Sequence, residues 1–166
     1  MYLLVGYPGS GKTTTSRIIH QLTGAEHMWA DKERRDMFTS PTHSPAESRV
    51  LYERLNKEAE ELLAAGRSVI FDTNFNFKKD RQLLRNIASK HGANTKLIWV
   101  KVDKNTARAR ATRRSAEQST RVFGDMAPAD FDRITSHLQE PSDSEQPIVL
   151  DGTKITPAYV ATQLGL

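Results

Sequence analysis

The chemistry this sequence is equipped for is concentrated in the run from Gly6 to Thr13, which fits the pattern G-x-x-x-x-G-K-[ST] throughout. Glycines at 6, 9 and 11 let the backbone curl until successive N–H groups face one concavity, which suits the oxygens of a polyphosphate. Lys12 adds a mobile cation, and the Thr13 hydroxyl is a ligand type that Mg²⁺ accepts. Gly9, Ser10, Gly11, Lys12, Thr13 and Thr14 are therefore the candidate nucleotide-binding residues. Two carboxylates stand apart from the general acidic background. Asp72 ends the apolar run Val69-Ile70-Phe71, where it either holds Mg²⁺, directly or through water, or caps the next helix. Asp31 follows Met28-Trp29-Ala30, where it either accepts a proton from a substrate hydroxyl or serves as a helix N-cap. Thr73 and Asn74 extend the polar end of the Asp72 run, and Arg34 stands three residues after Asp31. Arg110 and Arg114 lie four apart in a basic run from Arg108, so they share a helix face and suit phosphate oxygens; a solvated basic helix is the alternative.

These residues need elements to hold them, and the hydrophobic pattern supplies a regular series. Apolar runs at 2–5, 27–30, 68–72, 96–102 and 148–150 read as buried strands. Helical periodicity fills 12–22, 46–65, 79–91, 105–114, 129–138 and 156–164, with Gly24, Gly66 and Gly92 as stops. The apolar faces expected to meet the sheet include Leu22, the stripe Leu51, Leu55, Ala59 and Leu62, and Leu83 with Leu84 and Ile87. Residues 31–38 read as one or two polar helical turns, 40–45 as a proline-bracketed loop and 115–128 as irregular. Strands alternating with helices predict an α/β fold of three layers around a parallel sheet. Ligands of such sheets sit beyond the carboxyl ends of the strands, which is where the polar residues fall.

Composition sets the bounds. A chain of 166 residues supports one core and is short for two domains. It contains no cysteine, which removes disulfides and thiolate metal sites. The 24 Lys+Arg against 20 Asp+Glu give a net charge of +4, permitting an anionic partner without demanding one. Neither a leader nor a membrane span is evident, and a cytoplasmic location is the expectation.

Taken together, the Gly6–Thr13 loop, the Asp-x-x-Arg of Asp31 and Arg34, Asp72-Thr73-Asn74 with Asn76, and the spaced arginines resemble one family. It is the group of small P-loop kinases that includes phage and bacterial 5′-hydroxyl polynucleotide kinases and, more distantly, zeta-type toxins. The resemblance covers most of the chain and implies a single P-loop kinase domain over 1–166, with a parallel five-stranded sheet and an Arg-rich lid at about 108–128. It implies ATP as phosphoryl donor with Mg²⁺, Asp31 as general base, Arg34 on an acceptor phosphate, and Arg110 and Arg114 as lid arginines. DNA or RNA is then the expected acceptor. Kinases of hydroxymethylated bases, nucleotides or small hydroxyl compounds are alternatives within the same group. Trp29, Phe75 and Phe77 are candidates for stacking on a base, and Arg121 reads as surface. A nucleotide-hydrolysing switch is the rival of another class. The chain has no Asn-Lys-x-Asp base-reading motif, and the residues after Asp72 lack the Gly and Gln that would place a water.

Overall fold

The structure, a computed structural model, describes residues 1–113 and 125–166. Five strands form one parallel sheet: β1 (Tyr2–Val5), β2 (Glu26–Trp29), β3 (Val69–Asp72), β4 (Lys96–Lys101) and β5 (Ile148–Asp151). Their spatial order is β2-β3-β1-β4-β5, so the loop after β1 emerges at the centre of the sheet. The helices are α1 (Lys12–Thr23), α2 (Ala30–Met37), α3 (Pro45–Ala64), α4 (Lys78–Lys90), α5 (Lys104–Thr112), α6 (Pro128–Ser136) and α7 (Pro157–Leu164).

Side-chain alternation along β1 sends Leu3 and Val5 to one face and Leu4 to the other. On the first face they meet Leu51, Leu55, Ala59 and Leu63 of α3 and Leu84 and Ala88 of α4. On the second, Leu4, Ile70, Ile98, Val100 and Leu150 meet Ile18 and Ile19 of α1 and Val160 and Leu164 of α7. The result is a three-layer α/β fold, as the alternation of elements predicts. Each fully buried leucine in these layers contributes about 1.5–3 kcal/mol.

Local signals fix the helix ends. Ser44 caps α3 by accepting the Glu47 N–H, with Pro45 in the first turn. Gly24 closes α1 at φ 69°, a left-handed conformation that glycine adopts without strain. Two apolar residues assigned to the core from periodicity are at the surface: Leu22 is 44% exposed and Leu83 is 47% exposed. Each helix needs a narrower stripe than its sequence offers, because it covers only a few short strands. On α3 the buried stripe ends at Leu63, with Leu62 packed at its flank.

Beyond the sheet, α5 and α6 form a third cluster from Val102, Ala107, Ala111 and Phe131, with Tyr7 and Met126 against it. This cluster builds the wall over the loop that follows β1.

Candidate active site

The loop from Gly6 to Gly11 is shaped by close approaches. Gly9 has φ 80°, and a Cβ there would lie 2.4 Å from the Ala107 carbonyl oxygen, so α5 rests directly on the loop. Gly152, just after β5, packs the other side: a Cβ there would lie 2.3 Å from the Ser10 carbonyl oxygen. Lys12 is the first residue of α1 and is buried, its Nζ donating to the carbonyls of Gly6 at 3.0 Å and Tyr7 at 2.9 Å. Thr13 is half-buried beside it, and Thr14 is exposed.

Whether the loop fits a polyphosphate can be judged from its donors. The N-terminus of α1 has no capping side chain and no acidic residue in its first turn, so its leading N–H groups are open to an anion. The Ser10 hydroxyl is buried without a hydrogen-bond partner among the described residues. Among the described residues the Lys12 ammonium donates only to neutral carbonyls, and burial lowers its pKa to about 8 against the raising influence of Asp72 and Asp31. A buried cation with such weak partners suits an anionic ligand. For a metal, Thr13 and Asp72 supply a hydroxyl and a carboxylate. Among the described residues no group of three or more His, Asp or Glu could hold a cation. Mg²⁺ fits such a sparse set because it keeps water and takes phosphate oxygens as its remaining ligands.

Asp31 and Asp72 stand at adjacent strand ends and both act electrostatically on Lys12. Asp31 is the second residue of α2 and is exposed to water. The surrounding protein nevertheless pushes its carboxyl above the ordinary range, and the Asp72 charge adds to this; Lys12, His43 and Arg34 oppose it. A group crowded by protein yet open to solvent lies on the wall of a cleft, where water on the open side limits the shift. Asp72 is 3% exposed and makes one side-chain hydrogen bond among the described residues, to His27 at 3.0 Å. Thr73 is buried, with its Oγ1 2.6 Å from the Tyr52 hydroxyl. The Asn74 carbonyl accepts the Asn76 N–H.

Several expected ligand contacts are occupied by the fold. Arg34 is 5% exposed; it donates to Glu47 and, at 3.2 Å, to Ser48, tying α2 to α3. Burial raises the Glu47 pKa, but the Thr42 and His43 amides, the Thr42 hydroxyl and Arg34 together hold it at about 2. Arg110 donates to the Gly152 carbonyl at 3.0 Å, which places it beside the phosphate loop. Arg114 and Arg121 lie outside the described residues, as does much of the segment expected to be a lid. Phe75 is buried against Phe71, and Trp29 is stacked on His27 with Arg17 over its ring. Phe77 is 38% exposed beside Lys79 and His137.

Sequence reading missed His27, His43 and Tyr52. Tyr52 sits beside Leu51 and Leu55 on α3, where its pattern reads as flank packing. Burial raises its pKa, with Thr73 opposing and Asp31 adding. His43, at φ 55°, lies in the loop before α3 and senses Asp31 only after the chain has folded back.

Solved structures share this architecture. A gluconokinase from Sinorhizobium meliloti 1021 superposes with TM-score 0.67 at 16% identity, covering 99% of this chain and 89% of that one. A sugar kinase from Janibacter sp. HTCC2649 gives 0.69 at 20% identity, covering 99% and 93%. The Mycobacterium tuberculosis APS kinase, solved with AMPPNP and APS, gives 0.65 at 16% identity, covering 99% and 96%. At these identities the likeness establishes the fold. Among curated proteins none matches the chain. Residues 1–141, which contain the phosphate loop, both carboxylates and the basic helix, match the family described as AAA domain, and the chain belongs to this family, AAA_33, as a P-loop kinase-like domain.

Proposed function

We propose that the chain is a phosphotransferase that moves the γ-phosphoryl of ATP to a hydroxyl group. The observation that carries this reading is the meeting of Lys12, Asp31 and Asp72 at the mouth of one loop, with their charges coupled. Bound Mg²⁺-ATP would supply the electrophilic γ-phosphorus, with ADP as the leaving group. The loop amides and Lys12 hold the phosphates, while Thr13 and Asp72 serve the metal. Asp31 takes the acceptor's proton as the new O–P bond forms, and its raised pKa makes it a better base than an ordinary aspartate. Arg110 lies beside the loop on the side of Gly152, where a guanidinium would face donor phosphate.

For the acceptor, the arrangement supports a compact hydroxyl compound. Arg34, expected on a polymer's phosphate, is paired inside the protein, and Trp29 and Phe75, expected to stack on bases, are packed. Besides the charged Lys12, Asp72 and Arg34, the groups that interact with Asp31 include His43 and Tyr52, and Tyr52 bonds Thr73; these hydroxyls and the imidazole suit a small polyol or sugar. Among the structural neighbours, one is called a gluconokinase and one a sugar kinase. A polynucleotide 5′-hydroxyl is the second reading. It rests on the family resemblance and on Lys32 and Arg35, which are exposed on α2 beside Asp31.

A labelled-ATP screen separates these readings. Sugars, sugar acids, nucleosides, 5′-hydroxyl DNA and RNA, and hydroxymethylated DNA serve as acceptors. Label on a sugar or other small hydroxyl compound is the expected result. Label on oligonucleotide ends favours the polynucleotide reading, and free phosphate with no labelled acceptor overturns phosphotransfer in favour of a hydrolytic switch.

A further inference from the structure

Asp72 is buried at the end of β3, and the groups around it pull in different directions. The Lys12 ammonium attracts it and the Asp31 carboxylate repels it. Free to rotate, it would turn toward Lys12 and compete with phosphate for that cation. One contact opposes this: His27 Nε2 lies 3.0 Å from Asp72 Oδ2. With the carboxylate as acceptor, Nε2 carries the hydrogen.

The parallel register explains how a residue 45 positions away reaches it. His27 pairs with Ile70 and Trp29 with Asp72, so the four side chains leave the sheet on one face. The imidazole is itself fixed. Its ring lies parallel to Trp29, with centroids 6.0 Å apart and planes 8° apart, and the Arg17 guanidinium stands 5.3 Å from the centre of the Trp29 ring. Arg17 belongs to α1, the helix that carries Thr13. A contact chain from α1 through β2 to β3 therefore spans the elements that bear the two groups assigned to the metal.

We propose that His27 is a positioning residue that engages Asp72 Oδ2 and leaves Oδ1 directed to the metal side of the phosphate loop. This rests on the assignment of Asp72 to Mg²⁺ made above. Carboxylates at metal sites are commonly held by such outer hydrogen bonds, whose loss weakens metal binding by roughly 10- to 100-fold. A histidine that merely satisfies a buried carboxylate would affect stability and leave metal dependence unchanged.

The test measures binding of a non-hydrolysable ATP analogue by calorimetry, across a Mg²⁺ series and in EDTA. His27→Phe keeps the ring stack and removes the donor; His27→Gln keeps a donor. The expected result for His27→Phe is a rise of about tenfold or more in the Mg²⁺ concentration giving half-maximal tightening. Binding in EDTA stays within about twofold, and His27→Gln recovers most of the loss. Where the Phe variant does not fold, His27→Met is read the same way. An unchanged Mg²⁺ midpoint, or equal weakening with and without Mg²⁺, overturns the proposal. Asp72→Asn is measured in parallel. If it shifts the midpoint and His27→Phe does not, only the role of His27 fails; if neither shifts it, the assignment of Asp72 fails as well.

Discussion

A carboxylate held above its ordinary pKa is a cost to the fold and an asset to a base. Asp31 is in this position, crowded by protein and facing Asp72. Its folded pKa exceeds its unfolded one, so its contribution is most favourable below the unfolded value and is lost as pH rises through the folded value. At neutral pH the ionised group therefore destabilises the protein. Asp31→Asn is expected to raise the melting temperature at pH 7, a gain that shrinks toward acid pH in thermal unfolding. The same change lowers turnover by roughly 10²- to 10⁴-fold with nucleotide binding retained. Full activity in Asp31→Asn removes it from the base role. Lys12 gives the complementary pH dependence. With its pKa lowered to about 8, it is half deprotonated near that pH in the free protein and largely neutral above it. Calorimetry is expected to show ATP affinity falling as pH rises past about 8, with proton uptake on binding. Lys12→Ala abolishes that dependence and weakens binding by about tenfold or more.

At the scale of elements, the phosphate loop is held between two neighbours that touch its backbone. Carbonyl-to-Cβ distances of 2.4 Å at Gly9 and 2.3 Å at Gly152 leave no room for a methyl group. Gly152 is not in the left-handed region, so its requirement is space alone. Gly152→Ala must push the loop or the end of β5 aside, at a cost of about 1–3 kcal/mol. The expected outcome is a folded protein with reduced stability in denaturant titration and weaker nucleotide binding. Unchanged affinity would mean that the turn after β5 has no part in shaping the loop. Tyr7 links the loop to the helical wall in another way. Its ring meets Phe131 of α6 at 6.4 Å, while its carbonyl receives the Lys12 ammonium.

Across the whole molecule, Arg81 joins segments far apart in the chain. It is fully buried, with Nε and Nη2 donating to the two Glu145 oxygens at 2.7 and 2.8 Å and Nη1 to the carbonyls of Phe75 and Gln139. It thereby fixes the loop bearing Thr73 and Asn74 against the segment leading into β5. The Arg81 partnership also holds the Glu145 carboxyl below its usual range, against the effect of burial. Arg81→Met leaves that charge buried and unpaired, with an expected loss of roughly 3–5 kcal/mol in chemical denaturation. Adding Glu145→Leu should recover a large part. If it recovers none, the carbonyl contacts rather than the ion pair carry the stabilisation. Among the described residues no helix is long and apolar enough to cross a membrane.

Local patterns were enough to locate the phosphate loop, the five strands and the two carboxylates, Asp31 and Asp72, near strand ends. Each depends on a short run of residues: glycine spacing, an apolar stretch, a helix stop. Tertiary structure decided which neighbouring groups those residues meet. Arg34 was expected to face an acceptor and is paired with Glu47, 13 residues on. Thr73 meets Tyr52 across 21 residues, and Asp72 meets His27 across 45. These pairings follow from the parallel strand order and the fold-back of α3, and long-range register leaves no mark in a local pattern. A buried arginine and one bound for phosphate read alike in sequence, because burial and partner, rather than residue type, distinguish their roles.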